Sequence, residues 1–340
     1  MDELPEDTTV GPTDQALPRQ LRATLAAMLE ERLERVTNPR ALRDLLRHLA
    51  ILGGQASAEL LAAFVAPTDG ASDASTIADE IDTLIELQLV LEPAVDELRL
   101  AHPTMREVLL EGVAPRRLRR LHLRAAALRQ RSHGDVGAVG DHLFAAGRAA
   151  EAVPQWIRAE KVAFHFGDCR QAAQWGRKAL SQISVESPEH FEASELLART
   201  LREMTAYEPA VEVLEPLVEG AGSPLERFRA AELLGEVLQE QGDDDAWAKT
   251  VARIEENLPT EPGPARRAGL RALAFWANHR LDVVGAQRFA EEALVGDDLE
   301  VDERATACKR LFWACFYQVD FERADPVSYT HLTLPTIYSV

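Results

Sequence analysis

Seven arginines fall between Pro115 and Arg131, in Pro-Arg-Arg-Leu-Arg-Arg-Leu-His-Leu-Arg-Ala-Ala-Ala-Leu-Arg-Gln-Arg, and they are the densest chemical signal in the chain. On one helix they could form an electrostatic dock for an acidic partner or a phosphate. They could also be the solvated face around a stripe of Leu118, Leu121 and Leu128. Because the rest of the chain is acidic, an intramolecular contact is at least as well favoured as an external one. The other reactive residue types do not assemble into a catalytic pattern. No Gly-x-x-x-x-Gly-Lys-[Ser/Thr] phosphate loop, His-Glu-x-x-His, Gly-x-Ser-x-Gly, Cys-x-x-Cys or kinase signature occurs. His142 and His165 are expected on helices as packed or solvated imidazoles. Cys308 and Cys315 share a helical face, where apolar packing is the expectation. The acidic runs Asp243-Asp-Asp245 and Asp297-Asp298 suit helix starts and turns and lack the spacing of a calcium cage. No catalytic residue and no metal site are expected.

The composition bounds what these residues can serve. A chain of 340 residues, 46 % apolar and 27 % charged, can bury a core in two or three domains. The net charge of -19, with only four lysines, argues against nucleic acid as a general partner, because phosphate binding draws on Lys and Arg neutralisation. Three scattered cysteines make no disulfide framework. No apolar run approaches a membrane span, and the acidic N-terminus lacks the regions of a signal peptide, so a cytosolic protein is expected.

The elements that would position any site follow from periodicity. Residues 1 to 16 read as an acidic linker with Pro5, Gly11 and Pro12. Leu21, Leu25, Met28, Leu29, Leu33 and Val36 recur at helical spacing from Arg19 onward. Asn38-Pro39 then starts a helix with Leu42, Leu45, Leu46, Leu49 and Leu52 on one face. Ser57 caps a third helix at 58–65, and a Pro/Gly/Asp/Ser loop over 67–75 precedes a fourth with Ile77, Ile81, Leu84 and Ile85. Two short strands, 89–92 and 98–101, flank a Pro93-Ala-Val-Asp96 tip. Three helices followed by a two-stranded ribbon is the order of a winged helix. The third of these helices carries Asp79, Glu80, Asp82 and Glu86 without Lys or Arg, so major-groove docking would meet repulsion throughout, and a protein-facing role is expected. The second strand then runs into a helix at a corner occupied by His102 and Pro103. Pro103 suits the first turn, and Met105, Val108 and Leu109 give that helix an apolar face.

From about Asp135 the pattern is helix, short turn, helix. Gly147-Arg-Ala-Ala-Glu-Ala152-Val-Pro-Gln-Trp156-Ile-Arg-Ala159 resembles the second helix of a tetratricopeptide repeat, with small residues where paired helices approach. A period of 38 follows: Ala172, Ala210, Ala248, Ala286 and Ala324, with Asp168, Asp244, Asp282 and Asp320 four residues before four of them as expected N-caps. Pro188, Pro224, Pro259, Pro262 and Pro264 fall between repeats. The expected architecture is all-α with a small β-wing: a winged helix followed by a tetratricopeptide-like α-solenoid with a concave surface for a peptide, protein or small inducer. Residues 327–336 resemble the translated end of a transposase adapter used in sequencing libraries. Residues 326–340 are therefore expected to be a non-native tail, with the native chain continuing beyond Ala324.

In this order the chain resembles the middle and C-terminal regions of bacterial STAND ATPases, signal-transducing NTPases that place a P-loop ATPase before a winged helix and superhelical repeats. Leu17-Pro-Arg-Gln-Leu21-Arg-Ala-Thr-Leu25 looks like their helix at the ATPase exit, Ala41-Leu-Arg-Asp-Leu-Leu-Arg-His-Leu-Ala-Ile-Leu-Gly53 like the first winged-helix helix, and Asp82-Thr-Leu-Ile-Glu-Leu-Gln-Leu-Val90 like the third with its strand. The resemblance implies an exit helix at 17–37, a winged helix at 38–112, an Arg-rich connecting helix at 113–134 and a truncated solenoid at 135–325. In the plant immune-receptor branch a Met-His-Asp motif at the same corner senses ADP. Here Ala101-His102-Pro103 keeps only the histidine, and Arg106-Glu107 stands in place of the downstream Arg-Asp. The resemblance thus implies His102 and Arg106 as nucleotide-sensing residues that face ATP or ADP on a missing upstream domain; otherwise His102 is a corner residue hydrogen-bonded within its module. The chain itself is expected to hold no cofactor, to hydrolyse nothing, and to bind its own ATPase domain and a partner on the solenoid. Two rival architectures are a transcription regulator whose helix-turn-helix lies downstream, and a free-standing tetratricopeptide adaptor.

Overall fold

A run of Leu42, Leu45, Leu46 and Leu49 at helical spacing buries itself completely, and the N-terminal module is built on that stripe. The computed structural model describes residues 19–66, 74–132, 135–220, 222–296 and 298–318. The expected linker at 1–16, the start of the exit helix at 17–18, most of the 67–75 loop, Asp320, Ala324 and the 326–340 tail lie outside them. The chain divides into two compact units, Met1–Ala152 and Val153–Val340.

In the first unit α1 (Arg19–Leu33) sets Leu29 and Leu33 into the core, and α2 (Pro39–Ile51) opens on Pro39, whose fixed φ suits a first turn. Next come β1 (Gln55–Ser57), α3 (Ala58–Val65), whose N-cap Ser57 accepts from the Leu60 amide, α4 (Ala74–Glu86), β2 (Val90–Ala94) and β3 (Glu97–Leu100). The antiparallel sheet has the order β1-β3-β2, with Ala56 opposite Leu98 and Val90 opposite Leu100. Helix, strand, helix, helix and hairpin give the helical module with a small β-wing that was expected, in the element order of a winged helix. The sequence reading lacked β1, and it placed the tip at 93–96. Instead β2 runs through Pro93 to Ala94 past a bulge, and only Val95 and Asp96 turn the chain, Asp96 at φ 61°. A proline has no ladder amide to lose at such an irregular position.

The unit continues with α5 (Met105–Leu110), α6 (Pro115–Arg131) and α7 (Val136–Ala145). Leu118, Leu121 and Leu128 pack on the winged-helix core, so α6 belongs to this module. Its arginines divide. Arg116, Arg119 and Arg120 face solvent, whereas Arg124 donates to the Ala66 carbonyl and Arg129 to the Leu52 carbonyl at 2.9 Å. Other helix ends are closed in the same way. Arg32 donates to the carbonyls of Leu87 and Gln88 after α4, at 2.8 and 3.0 Å; Arg106 to that of Ala50 in α2, at 3.0 Å; and Arg47 to that of Leu109 in α5, at 3.3 Å. Each places a positive charge and a donor at the carbonyl end of a helix, an effect of about 0.3–1 kcal/mol at exposed sites and more when sheltered; the Ala50 carbonyl also accepts from the Gly53 amide at 3.2 Å.

The second unit takes up α8 (Ala149–His165) from Val153 and continues through α9 (Cys169–Leu180), α10 (Pro188–Glu203), α11 (Tyr207–Glu219), α12 (Pro224–Gln241), α13 (Asp244–Asn257), α14 (Pro264–His279), α15 (Val283–Ala293) and α16 (Val301–Tyr317). Helices α10, α12, α14 and α16 pack against one another in sequence and form an inner row, with α11, α13 and α15 set between them on the outer side. Three of the expected spacer prolines, Pro188, Pro224 and Pro264, start inner-row helices at their first position.

The repeat is less regular than a constant 38. The N-caps of α9, α11, α13 and α15 are Asp168, Ala206, Asp243 and Asp282, each preceded by a left-handed residue: Gly167, Thr205, Gly242 and Leu281. Ala172, Ala210 and Ala286, four residues after their caps, are wholly buried. Ala248 is exposed, contrary to the expected phase. The third cap is Asp243 rather than Asp244, and the buried position four residues on is Trp247. The indole fits because Gly235 on α12 leaves room: a Cβ there would lie 2.7 Å from Trp247 Nε1.

Two substitutions test this account. Ala206→Asp supplies the cap its three counterparts have and should raise stability by about 1 kcal/mol. Gly235→Ala forces the indole aside and should lower it by about 1–3 kcal/mol. Urea melts of the two variants measure both, with opposite shifts in midpoint expected.

Candidate functional site

At the corner, His102 follows β3 and is exposed. Its Nδ1 accepts from the Thr104 amide at 3.3 Å and meets the Thr104 hydroxyl, so in the neutral ring the proton sits on Nε2. Pro103 lies in a turn ahead of the helix rather than in its first turn: the Met105 amide donates to the His102 carbonyl and the Arg106 amide to the Pro103 carbonyl, and α5 begins at Met105. Met105 and Leu109 are buried, as their spacing requires, and Val108 is half-buried. Arg106 is exposed except for its Nε bond to α2, and with Arg22, Leu110 and two glutamates it lines an open cleft of about 430 Å³. No hydrogen bond joins His102 to Arg106 among the described residues; the corner brings them near in sequence and gives each its own partner.

Behind the corner, His122 of α6 and His142 of α7 are buried with their Nδ1 atoms 3.1 Å apart. Burial lowers the pKa of both. For His142 the neighbouring His122 and the charges of Arg129 and Arg106 add to burial, and together they push it down to about 3. His142 is thus a packed, neutral imidazole, in keeping with its sequence expectation.

The second unit holds a feature the sequence reading missed: a ladder of arginines and glutamates along the inner row. Arg229 of α12 pairs with Glu195 of α10 at 2.6 Å, and Arg202 of α10 with Glu236 and Glu240 of α12 at 2.7 and 2.8 Å. Arg271 of α14, 5 % exposed, lies between Glu232 of α12 at 3.1 Å and Glu303 of α16 at 3.4 Å. Arg310 of α16, 3 % exposed, reaches Glu236. Burial raises the Glu232 pKa, and Arg271 and Arg310 do not offset it. Burial also opposes the charged form of Glu236, yet Arg310 and Arg202 prevail and hold its pKa below the usual range. Two clefts of about 310 and 330 Å³ open along the row and share Glu236. A signal was available: Arg229 and Arg267, or Glu195 and Glu232, recur at nearly the spacing of the caps.

Glu160 of α8 is a separate case. It is 0 % exposed, neither carboxyl oxygen has a partner, and it fills the space that Gly176 of α9 leaves, where a Cβ would lie 2.3 Å from Oε1. Burial raises its pKa to about 8 against a small opposing effect of Lys161. Among the described residues no cluster of three or more metal-ligating side chains occurs, and no helix is long and apolar enough to cross a membrane.

The sequence matches no protein-family profile and no curated protein. Among solved structures it is similar to BtubC from P. vanneervenii, with 16 % identity and a TM-score of 0.41 over 67 % of this chain and 95 % of that one. It is also similar to a Podosopora anserina protein described as a kinesin light chain with nearly identical TPR-like repeats, with 17 % identity and a TM-score of 0.31 over 65 % of this chain and 95 % of that one. A third is a STAND protein with a tetratricopeptide repeat sensor from Pyrococcus horikoshii, with 10 % identity and a TM-score of 0.32 over 92 % of this chain and 59 % of that one. At such low identities none of them assigns a role to a residue of this chain.

The two buried titratable sites give opposite pH limbs. Glu160 has a folded pKa above its ordinary 4.5, so its contribution is whole below about pH 4.5 and is lost as pH rises through about 8. His142 is depressed from 6.5, so its contribution is whole above about pH 6.5 and is lost as pH falls towards about 3. Glu160→Gln should flatten the alkaline limb and raise stability at pH 8.5 by a few kcal/mol, since each pH unit is worth about 1.4 kcal/mol. His142→Asn should flatten the acid limb only. Denaturant midpoints from about pH 2.5 to about pH 9 read both, a range that brackets the two titrations.

Proposed function

We propose that this chain is the regulatory and interaction part of a STAND-type signalling ATPase, with the solenoid as sensor and the winged helix as relay. The single observation that carries the reading is the inner row: four consecutive helices present a preset pattern of charge and two open clefts, which is what a repeat array needs to receive a protein, peptide or small inducer. The winged helix fits a relay better than a DNA reader. Its third helix, α4, exposes Asp79, Asp82 and Glu86, each of which would repel phosphate. Nothing in the charge ladder or the corner has the acid–base or nucleophilic arrangement of an active site, and the reading gives the chain no hydrolytic activity of its own.

On this reading ATP or ADP is held by a nucleotide domain encoded upstream, and His102 and Arg106 face it. His102 offers Nε2–H from a ring fixed by Thr104, and Arg106 offers the terminal nitrogens not used on Ala50. Signal would pass as a change in packing about residues 98–112, where strand, corner and α5 meet.

DNA sequence upstream of Met1 tests the link to an ATPase, and an in-frame stop with no P-loop beyond it would remove that part of the reading. With the upstream domain present, His102→Ala should speed ADP release about tenfold, the effect of losing one hydrogen bond to a charged group, without shifting the melting midpoint. Arg106→Ala should speed release and also cost about 1 kcal/mol of stability, because it removes a positive charge and a second donor from the carbonyl end of α2. Unchanged ADP retention in His102→Ala would count against the sensor role.

A further inference from the structure

Three features of the inner row share one preference. In the first cleft the lining carboxylates outnumber the guanidiniums seven to four. The arginines there are already committed: Arg199 and Arg229 to Glu195, Arg267 to Asp298 and Glu303, and Arg271 to Glu232 and Glu303. Glu300 and Asp302, exposed at the start of α16, have no ion pair among the described residues. The uncompensated charge of the cleft is therefore negative.

In the adjoining cleft Asn278 is 7 % exposed, and its Nδ2 donates to the Arg310 backbone carbonyl at 2.9 Å. That bond fixes the amide, because turning it over would set two oxygens against each other. Oδ1 is left as a buried acceptor without a donor, a cost that a donor entering the cleft would relieve. The half-exposed rings of Trp313 and Tyr317 line the same cleft, and π faces attract cations. Arg202 and Arg310 are spent on Glu236 and Glu240, and Lys309 faces solvent, where a long side chain swings aside at little cost. A cation bearing N–H donors satisfies the free carboxylates, the orphaned amide oxygen and the ring faces together. An anion satisfies none of them.

We propose that the inner row captures a basic peptide segment, with arginine or lysine heads against Glu300 and Asp302 in the first cleft and against Asn278 Oδ1 and Trp313 in the second. The proposal rests on the interaction-module reading and names the chemistry of its partner.

The test titrates the full chain with three peptides of equal length: a tetra-arginine peptide, its glutamate counterpart, and a trimethyllysine counterpart that keeps the charge and lacks the N–H donors. Heat of binding is the readout. The arginine peptide should bind, and its affinity should fall about tenfold between 50 and 300 mM salt, as screening of opposite charges requires. Glu300→Gln with Asp302→Asn should weaken it about tenfold, whereas Asp79→Asn with Asp82→Asn, an equal charge change on the exposed face of α4, should leave it within about twofold. The trimethyllysine peptide should bind about fivefold more weakly for want of a donor to Asn278. Both pairs of substituted side chains are exposed, and circular dichroism verifies that the variants stay folded. The proposal is overturned if the glutamate peptide binds as tightly, if the α4 pair costs as much as the inner-row pair, or if trimethyllysine equals arginine. Binding of the glutamate peptide that is lost with the inner-row pair would keep the interaction module and remove its basic preference. Indifference of every peptide to the inner-row pair would remove both.

Discussion

A helix end leaves carbonyls without donors, and the N-terminal unit answers that constraint with arginines sent from neighbouring elements. Arg32, Arg47, Arg106, Arg124 and Arg129 each reach a carbonyl at or just beyond the end of another helix, from α2 through α5. Such a bond joins two elements as well as capping one, so the five together tie α1, α5 and α6 to the winged helix more specifically than apolar contact could. They also explain a chain rich in arginine and nearly free of lysine. A guanidinium is more weakly hydrated than an ammonium and so gives up less on being brought against a helix end, as Arg32 is at Leu87 and Gln88. The arginine-dense α6 thus serves the fold on its inward side and remains solvent-facing over Arg116–Arg120 and at Arg131.

In the second unit arginine plays a different part, facing carboxylates across the inner row. Buried ion pairs recover little net stability once desolvation is counted, but breaking one leaves a stranded charge at a cost of about 3–5 kcal/mol. The ladder therefore acts on register more than on stability. Arg271 stays buried between carboxylates of α12 and α16, and Arg310 between Glu236, the more distant Glu232 at 3.9 Å and the Phe275 ring. Glu232 and Glu236 lie one helical turn apart on α12 and are shifted in opposite directions: burial prevails at Glu232, and Arg310 with Arg202 outweighs it at Glu236. A ligand that took one carboxylate would oblige its arginine to find another.

Much of this was legible in the sequence. Leucine periodicity placed the winged-helix helices, Ser57 marked a cap, and the spacing of alanine and aspartate revealed the repeat. What could not be read was local compensation. β1 is three residues long and contributes one inward side chain, too little to register as a strand. The slip from Ala248 to Trp247 is invisible without knowing that Gly235 faces it. The ladder escaped because charged residues on a helix read as a solvated face until their neighbours on two other helices are known. The His122–His142 pair likewise needs the angle between α6 and α7, and no spacing rule contains that.

Arg106 is where these constraints meet. Its Nε closes the end of α2, its charge contributes to holding both buried histidines neutral, and with Arg22 it lines an open cleft beside the corner that carries His102. The first two roles depend on the guanidinium staying where it is. An anion arriving at the corner would meet the terminal nitrogens that the Ala50 bond leaves free, and its negative charge would ease protonation of the histidines behind it. Recognition at this corner is therefore coupled to packing by construction: the residue best placed to greet an anion is one whose removal the module feels. His102, held only by Thr104 in an exposed turn, carries no such burden.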